Sequence, residues 1–185
     1  MSNYRDKFLA ERVYVVSNKS FGDLEIFKDD VDYVTFVRYL TQYLPKFKTL
    51  DLLAYCILPN HFHLVFVNKK QDLKISELMR KLQVSYAMYF KKTYKNRGAI
   101  KGLPVFQGRF KAYIVEEDAI VKAVSYVSFN AEHHKKAYSL SDWKRTSLHQ
   151  LFDTGYTNIP EYKIPLFVKT SIQTQWVESL IDVWE

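Results

Sequence analysis

Leu58-Pro59-Asn60-His61-Phe62-His63-Leu64-Val65-Phe66-Val67 is the stretch whose reading decides the fold. Pro59-Asn60 signals a tight turn or a bulge. The apolar and β-branched residues after it predict a strand, His61 to Val67, and those before it another, Leu50 to Leu58. A short turn makes the two antiparallel. Side chains alternate between faces along a strand. His61 and His63 therefore share one face, while Phe62, Leu64 and Phe66 take the other. Two imidazoles on a rigid strand can hold one divalent metal. An isolated pair equally suits two ordinary strand histidines, exposed or hydrogen-bonded. Two ligands do not define a metal site, so a third must come from a neighbouring element.

Working outward, Val13 to Ser17 predicts a first strand. Asp29-Asp30 opens a helix in which Val31, Val34, Phe36, Val37 and Leu40 supply an apolar face, and Pro45 ends it. After the hairpin, Lys74 to Thr93 predicts a long amphipathic helix with Ile75, Leu78, Met79, Leu82, Tyr86, Tyr89 and Phe90 inward. Asn96 to Pro104 is a cationic loop. Phe106 to Val115 predicts a fourth strand, and Glu116-Glu117-Asp118 the acid-rich first turn of a helix running to about Asn130. The order β-α-β-β-α-β-α predicts an α+β chain: a ferredoxin-like (RRM-like) antiparallel sheet with two helices on one face, plus one further helix. Residues 1–137 form the expected domain. Residues 138–185 are expected as a helical extension, through Ser141 to Leu151 and Ser171 to Trp184, rather than an independent domain.

The chain has 185 residues and a formal charge of +7, which favours a polyanionic partner. Its 14 Tyr and 13 Phe exceed the demand of one small core, and aromatics interleaved with Lys and Arg suit stacking on unpaired bases. The single cysteine, Cys56, excludes an internal disulfide framework and a cysteine-rich zinc site. No apolar run approaches the roughly 20 residues that span a bilayer, and Met1 to Lys7 lack a signal-peptide core. A cytoplasmic protein, associated with the nucleoid, is the expectation.

The helix after Glu116 carries an apolar stripe, Ile120, Ala123, Val124 and Val127. Tyr126 and Asn130 fall on one flank, one turn apart. A tyrosine there can act as a nucleophile, and an asparagine amide oxygen can meet a hard cation. The same two residues also suit packing at the stripe edge and capping of the helix. A phenol with an ordinary pKa near 10 is only about 0.1% ionised at neutral pH, so attack on a phosphodiester needs help in offsetting the developing charge.

Several blocks in order resemble the single-tyrosine His-hydrophobic-His transposases of bacterial insertion sequences, and more closely their REP-associated branch. They are Tyr14-Val15-Val16-Ser17-Asn18, Ile26-Phe27, Ala54 to Leu64, Val105-Phe106-Gln107-Gly108-Arg109-Phe110-Lys111, and Tyr126-Val127-Ser128-Phe129-Asn130. The resemblance covers roughly Arg12 to Ala137. It implies metal ligation by His61, His63 and Asn130, with Mg²⁺ or Mn²⁺ as cofactor. It implies Tyr126 as the nucleophile, giving a 5′-phosphotyrosine link and a free 3′-OH on single-stranded DNA with hairpin ends. Arg109 and Lys111, and less directly Asn18, Lys19 and Arg97, would face the bound strand. A monomer acting in cis or a homodimer is implied. The chain departs from the family at Asn130-Ala131, where Asn-Pro is common, and at Val15 and Lys19, where His and Arg are common. These departures bear on which DNA sequence is read. His133 and His134 are read as solvated. The rival reading is a domesticated module that binds single-stranded nucleic acid and cuts nothing.

Overall fold

The computed structural model describes residues 8–94, 102–130 and 145–147. Its strands are β1 (Arg12–Lys19), β2 (Leu50–Leu58), β3 (His61–Asn68) and β4 (Lys111–Val115); its helices are α1 (Asp30–Tyr43), α2 (Lys74–Tyr94) and α3 (Ile120–Ser128). The element order is the predicted one. One four-stranded sheet runs β2-β3-β1-β4, with every neighbouring pair antiparallel. Leu58 pairs with His61, so Pro59-Asn60 is a two-residue hairpin turn.

The sheet divides two apolar clusters. On one face Tyr14, Val16, Tyr55, Ile57, Phe62, Leu64 and Phe66 meet α1 and α2. On the other, Val13, Ala54, Cys56, Leu58 and Val65 meet Val124 and Val127 of α3. A bulge at Leu53 interrupts the pairing of β2 with β3. It puts Leu53 and Ala54 on the same face and shifts the alternation by one residue, so that Leu50 and Leu52 share the helix-side core with Tyr55 and Ile57.

Helix α1 starts where the Asp29 carboxylate accepts from the Asp32 amide at 3.1 Å. Its buried side is Tyr33, Phe36, Val37 and Leu40, whereas Val31 and Val34 are exposed, against expectation. The cause is Asp32. Its buried carboxylate accepts from Tyr89 Oη, Tyr94 Oη and the Lys28 amide, each at 2.8 Å. That polar anchor sets the rotation of the helix and turns the two valines outward.

The fourth strand is shorter than predicted. Gly108 adopts φ +69°, and its N–H donates to the Phe106 carbonyl at 2.9 Å. Phe106 keeps a single bridge to Ser20, and regular pairing starts only at Lys111. A left-handed residue turns the chain out of the ladder, which the run of strand-forming residues does not reveal. Helix α3 likewise begins later than expected, after a 3₁₀ turn at Glu117–Ala119. At the C-terminal side, residues 145–147 are not helical as expected. They lie against the outer edge of β2, with Thr146 bridged antiparallel to Cys56. An edge strand offers unpaired N–H and C=O groups, and this segment takes some of them. The helix expected at Ser171 to Trp184 lies outside the described residues. Among the described residues no helix is long and apolar enough to cross a membrane.

Candidate active site

Strand β3 presents His61 and His63 on the α3 face. His61 pairs across to Leu58 and Lys19, and His63 to Cys56 and Ser17. The ring centres are 5.2 Å apart with the planes near perpendicular, at 89°. His61 Nδ1 lies 2.7 Å from Asn60 Oδ1. That oxygen can only accept, so Nδ1 donates to it, and in the neutral ring this leaves Nε2 as the acceptor nitrogen. From the sequence alone Asn60 reads only as part of the turn. The signal available was its place beside His61, where a short polar side chain can set the tautomer.

The histidine turn is held from below. The Pro59 carbonyl accepts from the Ile26 and Phe27 amides at 2.8 and 2.9 Å. Tyr86 Oη in turn donates to the Ile26 carbonyl at 2.6 Å. Burial, followed by the nearby Asp32 carboxylate, pushes the Tyr86 phenol far above its ordinary pKa. Tyr33 is raised by burial as well, against a smaller opposing effect of Arg145.

Helix α3 brings Tyr126 over the same face. Its ring centre lies 6.4 Å from that of His63, at 81° between planes. Val124 and Val127 are buried beneath the helix, while Tyr126 stays 49% exposed. Between them an open cleft of about 670 Å³ is lined by both histidines, Tyr126, Asn18, Lys19, Arg109 and Lys111. Ser17, Asp23 and Gln107 also reach it and were not foreseen. The Asn18 amide is partly engaged in structure, donating to Gln83 Oε1 at 3.1 Å and to the Gly108 carbonyl at 3.2 Å. Lys19 Nζ is 3.4 Å from Asp23. Arg97, His133 and His134 lie outside the described residues.

Asn130 is fully buried and does not line the cleft, and neither atom of its amide has a hydrogen-bond partner among the described residues. A buried amide left without partners is a costly arrangement that calls for a ligand or further contact. Among the described residues, no group of three His, Cys, Asp or Glu could hold a metal ion. A cation here would depend on the two imidazoles together with an amide. The histidine spacing fits such a role. With metal–nitrogen bonds of about 2.1 Å and ring centres about 1.1 Å beyond, two imidazoles sharing one ion subtend about 110° at this separation.

A family model described as IS200-like transposase matches residues 24–130, more than half of the chain. The chain belongs to the IS200-like transposase family. The match contains both histidines, Tyr126 and Asn130. A Haemophilus influenzae protein described as a REP-associated tyrosine transposase is 23% identical over 146 residues, 68% of this chain and 83% of that protein. The solved structure of a REP-associated tyrosine transposase bound to a REP hairpin has a similar fold. Its TM-score is 0.63 at 16% identity, covering 89% of this chain and 94% of that one. The tRNA(His) guanylyltransferase of Saccharomyces cerevisiae is also similar in fold. It has TM-score 0.50 at 13% identity, covering 70% of this chain and 62% of that one. One sheet architecture therefore hosts different chemistries, and activity resides in the site that each chain builds on it.

Proposed function

We propose that this transposase cleaves and rejoins single-stranded DNA at hairpin-bearing sites through Tyr126, in the manner of the REP-associated branch. The observation that supports it most is the stacking of Tyr126 edge-on to His63 of the same chain, above an open cleft with a cationic wall. In this reading the site acts in cis, with the tyrosine and the histidines supplied by one chain.

In the reaction proposed, the Tyr126 oxygen attacks a backbone phosphorus and the phenolic proton passes to solvent. The bond from phosphorus to the 3′ oxygen breaks, and that oxygen takes up a proton to leave as a 3′-OH. The DNA is left joined to Tyr126 through its 5′ phosphate. A later 3′-OH reverses the sequence and rejoins the strand, so the energy of the broken bond is conserved. Arg109 and Lys111 hold the negative backbone across the cleft mouth. His61 and His63, with Asn130, would hold Mg²⁺ or Mn²⁺, which when bound offsets charge on the phosphate oxygens. Asn60 keeps His61 in the tautomer that such a role requires.

The test is incubation with a hairpin oligonucleotide and Mn²⁺ or Mg²⁺, followed by denaturing electrophoresis. A covalent protein–DNA species is expected with the native chain and not with Tyr126→Phe, while hairpin affinity persists in both. Cleavage with an adduct in Tyr126→Phe would move the nucleophile elsewhere. Binding without any adduct in the native chain would instead mark a non-catalytic nucleic-acid module.

A further inference from the structure

The segment Arg145-Thr146-Ser147 lies beyond the family match, which ends at residue 130. It touches both faces of the sheet from the open edge of β2. Its backbone pairs there: the Arg145 carbonyl accepts from the Ile57 amide, and the Ser147 amide donates to the Tyr55 carbonyl, each at 2.9 Å. Toward the helix layer, the Arg145 guanidinium stands 5.1 Å over the Tyr33 ring and pairs with Asp30 of α1. Toward the other face, Thr146 Oγ1 lies 2.6 Å from the Ser128 carbonyl and 3.1 Å from that of Tyr55. Ser147 Oγ lies 2.9 Å from Ser128 Oγ and accepts from the Tyr55 amide at 3.1 Å. Ser128, Thr146 and Ser147 are all buried.

Ser128 is the last residue of α3, and its carbonyl is one of those a helix end leaves without an internal partner. Here a hydroxyl from a distant part of the chain satisfies it. The nucleophile proposed above stands two residues earlier. Among the described residues, Val124 and Val127 of α3 are buried against the sheet, with Phe129 just beyond, and apolar contacts of that kind are non-directional. Hydrogen bonds to Ser128 supply the direction. They tie the end of the helix to one place on the β2 edge.

We propose that Arg145-Thr146-Ser147 is a clamp that locks the tyrosine helix in register with the histidines of its own chain. Arg145 anchors it to α1, and Thr146 and Ser147 act as positioning residues for Tyr126. The clamp's catalytic consequence rests on Tyr126 being the nucleophile; its structural consequence does not. Thr146→Val removes the hydroxyl at nearly constant shape, and Thr146→Ser retains it.

Three measurements on the full chain test the clamp: single-turnover formation of the covalent adduct, hairpin affinity by anisotropy, and hydrogen exchange of the Ile120–Ser128 amides. With valine, the adduct rate is expected to fall about a hundred-fold, as for an ångström-scale misplacement of a reacting group. Affinity should change less than about threefold, because a lost orientation appears in the chemical step rather than in binding. Exchange in α3 should accelerate, and serine should restore all three values. A valine variant with native exchange and native rate would overturn the proposal. If Thr146→Val does not fold, Ser147→Ala is read in the same way, since it keeps the backbone pairing. Absence of an adduct in the native chain would sink the nucleophile assignment alone, leaving exchange in α3 to decide the clamp.

Discussion

Tyr86→Phe asks whether the turn under the histidines hangs on one buried phenol. The substitution leaves the ring stacked among Phe27, Phe36 and Phe90. It removes only the donor to the Ile26 carbonyl. A buried acceptor left unsatisfied costs about 1–3 kcal/mol, so about 2 kcal/mol is expected at neutral pH. For a chain of 185 residues that lowers Tm by roughly 4–8 °C.

The same phenol makes the difference depend on pH. Burial raises its pKa, so the folded protein keeps the proton at a pH where the unfolded chain, near pKa 10, has lost it. The unfolded state then binds fewer protons, and native stability falls as pH rises above about 10. Below that pH the contribution is fully present. The phenylalanine variant lacks this loss. The native chain should forfeit about 0.8 kcal/mol through Tyr86 at about pH 10.5 and about 1.4 kcal/mol at about pH 11. The gap between the two proteins should narrow from about 2 kcal/mol at neutral pH to about 0.6 kcal/mol at about pH 11. Urea unfolding followed by far-UV circular dichroism measures it without interference from phenolate fluorescence. A gap that stays constant from neutral to alkaline pH, or no destabilisation at neutral pH, would refute the reasoning.

Asn60→Ala releases the His61 tautomer and should weaken Mn²⁺ binding about 10–100-fold, read by paramagnetic resonance of free Mn²⁺ with no DNA present. Asp32→Ala strands the Lys28 amide and the Tyr94 hydroxyl and should destabilise by about 3–5 kcal/mol in chemical denaturation. Tyr89, half-exposed, can turn its hydroxyl to water. Replacing Arg109 and Lys111 together by Ala should lower the slope of log affinity against log salt by about 1.4 for single-stranded DNA; an unchanged slope would place the strand elsewhere.

What the chain legislates locally was legible in it. The turn at Pro59-Asn60, the alternation that puts His61 and His63 on one face, and the inward stripe of α2 all follow from periods of 2 and 3.6 residues, which neighbours in sequence impose by themselves. The ordered blocks carried the family. Rotational phase was not legible: α1 turned its valines outward because Asp32 found two phenol donors on distant Tyr89 and Tyr94, beside the nearby Lys28 amide. Nor was the early end of pairing at Gly108, where a single left-handed residue overrides strand-forming neighbours.

The candidate site divides along the same line. Each imidazole, the phenol and the amide could be named from sequence. The meeting of the histidines with Tyr126 could not, because His63 and Tyr126 are brought together by α3 crossing the sheet, and that depends on which face its stripe covers. The contact of Thr146 with Ser128 lay further out of reach. A hydroxyl that caps a helix from 18 residues away leaves no periodic trace, since any serine or threonine looks alike until the β2 edge supplies its partner. The sequence determined the parts and their faces; only the tertiary structure decided which surfaces met, because burial and hydrogen bonding between distant segments are properties of the folded whole.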